Sequence, residues 1–136
     1  EMKLKQLEIA LEDVDVFETP KIHLEQYPTT PHLAACVLYE AHNRYDDIEG
    51  RAVADLGCGT GMLAIGAAIL GGGYVCGFDV DPDALAIAAN NVSDFEVDVD
   101  LVNTDLCHMC VKRPPGAAST PASKHAHTPE PAHTDG

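Results

Sequence analysis

Asp55-Leu56-Gly57-Cys58-Gly59-Thr60-Gly61, with Asp79 twenty-two residues after Gly57, decides the fold of this 136-residue chain. Ala52 to Leu56 is a short apolar run of strand length, and an apolar helical stretch from Met62 to Leu70 follows the glycines. Gly71-Gly72-Gly73 ends that helix. Tyr74 to Phe78 is the next strand, closed by Asp79. Asp81 caps a helix that opens with Pro82 and runs to about Asn91. Residues 97–102 then alternate Val97, Val99 and Leu101 with Asp98 and Asp100, as a third strand would. Strand and helix in short alternation predict a parallel sheet with right-handed crossovers.

Such sheets bind ligands beyond the carboxyl ends of their strands. Gly57, Gly59 and Gly61 free the backbone to turn tightly and approach a ligand. The helix start after them is expected to offer unpaired amides and a partial positive charge. Asp79 is placed to accept hydrogen bonds from two ribose hydroxyls. Asp105, just past the third strand, is placed to meet an exocyclic amine. A plain tight turn is the bland alternative for the loop alone. A dinucleotide fingerprint would put its third glycine at 62, where this chain has Met62. That departure tells against a nicotinamide cofactor without removing it.

Upstream, Leu4, Leu7, Leu11 and Val14 predict an amphipathic helix over residues 2–15. A polar, proline-punctuated loop follows. Thr30 and Pro31 then read as N-cap and first residue of a helix to about Tyr45, with Ala34, Val37, Leu38 and Ala41 on one face. Residues 114–136 hold five of the nine prolines and no Val, Ile, Leu, Met or aromatic residue. Such a segment cannot offset an ordering entropy of roughly 1–2 kcal/mol per residue, so it reads as a disordered tail after a domain of residues 1–113.

The net charge is −14, and residues 1–113 hold seven Lys and Arg against twenty Asp and Glu. So acidic a surface disfavours tight binding to phosphate backbones or membranes. Five cysteines, an odd number scattered through apolar runs, predict reduced and buried thiols rather than a disulfide framework. Cys107-His108-Met109-Cys110 has C-x-x-C spacing without a second convincing ligand pair, so no metal site is expected. No stretch is apolar enough to span a membrane, and no signal-peptide pattern opens the chain.

The glycine loop resembles motif I of class I S-adenosylmethionine-dependent methyltransferases. Glu25-Gln26-Tyr27-Pro28-Thr29 with Pro31-His32, Tyr45-Asp46-Asp47-Ile48-Glu49 and Gly77-Phe78-Asp79-Val80-Asp81 resemble the methyltransferase-like protein 5 family more specifically. The resemblance covers about residues 3–107, with one deletion near Val99. It implies the N-terminal half of a Rossmann-like α/β methyltransferase domain: three parallel strands with flanking helices. The family's activity is N6-methylation of adenosine in small-subunit ribosomal RNA.

Carried over residue by residue, the resemblance puts Gln26 and Thr29 in the cofactor pocket. Gly57, Thr60 and Met62 then contact the methionine end, with Gly59 among the cofactor-binding residues. Asp79 holds the ribose, and Asp105 and the Leu106 backbone meet the adenine. The family's Asn-Pro-Pro-Phe motif does not occur in these 136 residues, and Arg113-Pro114-Pro115-Gly116 lacks its Asn and its aromatic. The expectation is therefore a cofactor cradle with no catalytic residue, unable to transfer a methyl group alone. Without a fourth strand, Ala52 to Leu56 is expected to be a raw edge prone to association. The resemblance further implies an intracellular protein of nucleus or cytoplasm. It also implies a small zinc-containing activator that adds strands along residues 97–102. A non-catalytic isoform that binds this activator and a nicotinamide-binding fragment are the alternative readings.

Overall fold

The computed structural model describes residues 2–108. Helix α1 spans Leu4–Leu11 and α2 spans Pro31–Tyr45. Strand β1 (Ala52–Leu56), α3 (Met62–Ile69), β2 (Tyr74–Asp79), α4 (Pro82–Asp94) and β3 (Asp100–Asn103) follow. Single 3-10 turns lie at Ile22–Leu24 and Leu106–His108. The strands form one parallel sheet in the order β1-β2-β3, as the strand–helix alternation predicts. The expected domain limit at 113, the tail of residues 114–136 and Cys110 lie outside the described residues.

Thr30 caps α2 as read from the sequence, its Oγ1 accepting from the Leu33 amide at 3.2 Å, with Pro31 first in the helix. Two elements are shorter than expected. Helix α1 ends at Leu11 rather than near residue 15, because the chain turns there: Val14 N–H donates to the Leu11 carbonyl, and the next residue leaves toward α4. Val14 is buried all the same. Strand β3 begins at Asp100, not Val97. Glu96 takes a left-handed turn (φ 51°) out of α4, and pairing with β2 starts only at Cys76 against Asp100. Val97 and Val99 still pack on the core, so their alternation marks burial rather than strand pairing.

The core is an apolar contact between α1, α2, α3 and β2, built on Leu7, Leu11, Ala34, Ala35, Leu38, Ile65 and Val75. Val37, expected inside, is 53% exposed, and Ala35 takes its place. Gly66 lets the helices close up: a Cβ there would collide with Leu38 and meet both Leu11 methyls at 3.5 Å. Among the described residues β1 pairs only with β2, and Leu56 at its end is 66% exposed. Cys58 and Cys76 are buried as expected, whereas Cys36 is half-buried and Cys107 exposed; all four are free thiols. No described helix is long and apolar enough to cross a membrane.

Leu11 is fully buried against Gly66 in this contact. Leu11→Ala is expected to destabilise the chain by about 2–5 kcal/mol, read as a lower urea midpoint with an unchanged slope.

Candidate functional site

The site lies along the carboxyl ends of the three strands, where the glycine loop leaves β1. Gly57, Gly59 and Gly61 have φ of 84°, 55° and 91°. At Gly61, the N-cap of α3, a side chain would be strained in this left-handed conformation. The loop is bonded internally. The Gly57 and Cys58 amides both donate to the Phe78 carbonyl, at 2.8 and 2.9 Å, and Gly61 donates to the Cys58 carbonyl. The Gly59 amide donates to Asp79 Oδ2 at 2.8 Å, and the Ala64 amide to Asp55 Oδ2 at 3.1 Å. The expectation of open amides holds in part: strand-end carboxylates and carbonyls take the Gly57, Cys58, Gly59, Gly61 and Ala64 amides, and those of Thr60, Met62 and Leu63 at the start of α3 stay open among the described residues.

Asp79 Oδ1 also accepts from the Asp81 amide at 2.9 Å, so one carboxylate fastens the glycine loop to the start of α4. Burial pushes the Asp55 carboxyl up, opposed by the Ala64 amide and aided by nearby Asp79. Burial and the carboxylates of Asp55 and Asp79 push the Cys58 thiol to about 12. Cys58 is therefore protonated at neutral pH and is no nucleophile.

A cavity of about 360 Å³ opens over this rim, in the size range of small-molecule sites. It is lined by Gly57, Gly59, Asp79, Asp105 and Leu106, all expected, and by Gln26 from the loop before α2. Thr29, Thr60 and Met62 line a smaller adjoining hollow that shares Gly57 and Gly59. The structure thus brings the nine sequence-predicted site residues together around one cleft. Gln26 is less free than expected. Its amide oxygen accepts from the Lys21 backbone at 2.9 Å and its amide nitrogen donates to Asp81 Oδ2 at 2.6 Å. Asp105 Oδ1 accepts from the Cys107 amide at 2.9 Å.

Sequence reasoning missed Phe17, Lys21 and Asn91. Lys21 Nζ reaches Asp81 at 2.8 Å and Asp83 at 2.6 Å, tying the loop to α4. Nothing local in the sequence marks a pair sixty residues apart. Asn91, 1% exposed, donates to the carbonyls of Asp15 and Thr60 and accepts from the Asp15 amide. An asparagine on the inner face of an apolar helix is the signal that would have found it. Among the described residues no cluster of His, Cys, Asp or Glu is arranged to hold a metal.

The charge on the large cavity is one-sided. Glu25, Asp79 and Asp105 line it, and among the described residues its lining includes no Lys, Arg or His. The family model of ribosomal protein L11 methyltransferase (PrmA) matches residues 27–113, spanning the glycine loop and the strand-end acids. The chain belongs to this methyltransferase family. A Danio rerio protein named rRNA N(6)-adenosine-methyltransferase METTL5 is 58% identical over 107 residues, which cover 78% of this chain and 52% of that protein. The expected likeness to the methyltransferase-like protein 5 family is thereby borne out. A crystal structure of the Pyrococcus horikoshii protein PH1948 matches with a TM-score of 0.70 and 39% identity, covering 75% of this chain and 51% of that one. The Pyrococcus abyssi tRNA (uracil-54, C5)-methyltransferase, solved with S-adenosyl-L-homocysteine, matches with a TM-score of 0.51 and 25% identity. It covers 64% of this chain and 21% of that one. The chain spans about half the length of the curated relatives it matches.

Asp81 is held below the usual carboxylate range, chiefly by the Lys21 ammonium; burial opposes this, and the Gln26 amide and the Asp83 N–H add to the lowering. Its contribution is fully present above the ordinary carboxylate value of about 4 and is lost as pH falls through the depressed folded value. Urea midpoints measured against pH are expected to fall on the acid side in the wild type. Asp81→Asn is expected to flatten that limb while keeping the α4 cap.

Proposed function

We propose that these 136 residues form the S-adenosylmethionine-binding half of an enzyme that methylates N6 of adenosine in ribosomal RNA. The observation that carries the cofactor is the acidic lining of a cleft whose glycine-loop amides are largely bonded already. A pyrophosphate would face Glu25, Asp79 and Asp105 and find the amides of Gly57, Cys58, Gly59 and Gly61 already donating. A cofactor with no phosphate and with a sulfonium and an ammonium suits the same wall. Both features tell against the nicotinamide alternative. The adenosine N6 chemistry is drawn from the METTL5 relative.

S-adenosylmethionine, when bound, supplies an electrophilic methyl group. The residues described here bind and orient it. Asp79 keeps lone pairs for the ribose hydroxyls beyond those given to the Gly59 and Asp81 amides. Leu106 offers an apolar wall and Asp105 an acceptor for the adenine. Thr29, Thr60 and Met62 line the end left for the amino acid. Gln26 holds the loop in place through Asp81.

The groups that would orient a target adenine by proximity, an Asn side chain and a Pro carbonyl, are not among these residues in the family's pattern. We therefore expect no methyl transfer to adenosine-containing RNA by the 136-residue chain alone. Transfer of a radiolabelled methyl group by the purified chain would refute this. The net charge of −14 likewise assigns RNA grip elsewhere.

Strand β3 pairs only with β2 among the described residues and presents Val102 at the surface. We place the family's zinc-containing activator there, by strand addition at Asp100–Asn103. The intracellular setting follows from the same reading.

Calorimetry is expected to detect S-adenosylmethionine binding and no NAD binding. Asp79→Asn, which keeps one acceptor for the loop, is expected to weaken S-adenosylmethionine at least tenfold. Binding of NAD alone, or undiminished binding by a folded Asp79→Asn, would overturn the assignment.

A further inference from the structure

Phe17 belongs to neither the glycine loop nor the strand ends, yet it stands at the middle of the cleft. It lines the large cavity beside Asp79, Asp105 and Leu106, and it lines the small hollow beside Thr29, Thr60 and Met62. The two spaces share Gly57, Gly59, Phe17 and Tyr27. The ring lies over the glycine loop: its Cζ is 3.4 Å from where a Cβ of Gly59 would be. A Cβ at 59 would come into van der Waals contact with this ring.

The ring's position is imposed by buried hydrogen bonds. Asn91 grips Asp15, two residues before Phe17, through both backbone groups, at 3.0 Å each. Its amide also donates to the Thr60 carbonyl at 2.9 Å, one residue after Gly59. One buried side chain thus fixes the spacing between the strap that carries Phe17 and the loop beneath it. Burying an asparagine costs free energy unless its polar atoms are paired, and here both its oxygen and its nitrogen are. The strap is fastened again past Phe17, where Lys21 and Gln26 meet Asp81. Between these anchors Phe17 is half-buried, with its ring toward the cleft rather than the core.

We infer that Phe17 is a cofactor-contacting residue, its aromatic ring packing on a ligand that passes from the nucleoside cavity into the amino-acid hollow. The inference rests on the proposed S-adenosylmethionine reading. A nucleoside joined to an amino acid must cross the shared stretch under Phe17. A flat ring there excludes water from the crossing and offers its negative face to a cationic centre.

The chain contains no tryptophan. Phe17→Trp therefore places a single tryptophan at this point, with emission that can be excited apart from the four tyrosines. Calorimetry and fluorescence with S-adenosylmethionine test the inference on the full 136-residue chain. Phe17→Leu is expected to weaken binding about tenfold or more with little change in thermal midpoint. Phe17→Tyr is expected to stay within about twofold of wild type. Phe17→Trp emission is expected to change saturably, with the midpoint found by calorimetry. Binding within twofold by Phe17→Leu, equal losses in the Leu and Tyr variants, or Trp emission indifferent to ligand would each overturn the contact. Failure of the wild type to bind S-adenosylmethionine would instead overturn the reading beneath it.

Discussion

The carboxylate of Asp79 holds the site together. One oxygen takes the Gly59 amide and the other the Asp81 amide, so the turns after β1 and β2 hang from the same side chain. The Asp79 backbone carbonyl also takes the Thr104 amide and the Asn103 side chain, which brings in the end of β3. All three strand ends therefore meet at one residue. Charge-assisted hydrogen bonds are stronger than neutral ones, and this one carboxylate serves two amides that a helix start and a tight turn would otherwise leave to solvent. The cleft keeps its shape because its floor is bonded to its own recognition group.

The sheet and its ligand rim were legible because their signals are local. Apolar runs of strand length, glycines at 57, 59 and 61, and prolines at 31 and 82 each speak within a few residues. Strand β1 and the start of α2 fall where the sequence put them. Residues 97–99 misled because burial against helices and burial in a sheet share a period of two over so short a run. Val37 misled because the buried face of α2 is centred on Ala34, Ala35 and Leu38, which leaves Val37 at its rim, a rotation that a helix with small apolar residues on both sides does not announce. The strap between α1 and α2 was illegible in kind. Its contacts, Asp15 with Asn91 and Lys21 with Asp81, join positions 76 and 60 residues apart.

Two different forces thus build the two walls of the cleft. The floor rests on a helix-backed sheet with an apolar core that excludes water. The upper wall is a strap held mostly by hydrogen bonds and an ion pair, with few buried apolar groups of its own after Val14. Segments held in that way open at lower free energy than the core they lie on. Ligand exchange can then proceed by loosening the strap, with the packing of α1, α2 and α3 left intact.

The one-sided charge of the cleft has a thermodynamic side. Glu25, Asp79 and Asp105 line the same cavity, and behind them the charge of Asp79 opposes that of buried Asp55. That opposition offsets part of what the Asp79 hydrogen bonds contribute. A cation seated among these acids turns the same charges into attraction, so the ligand relieves an electrostatic stress as well as making contacts. Added salt screens both the repulsion and the attraction. The stabilisation conferred by a cationic ligand should therefore be largest in dilute buffer, where the ligand-free protein is weakest.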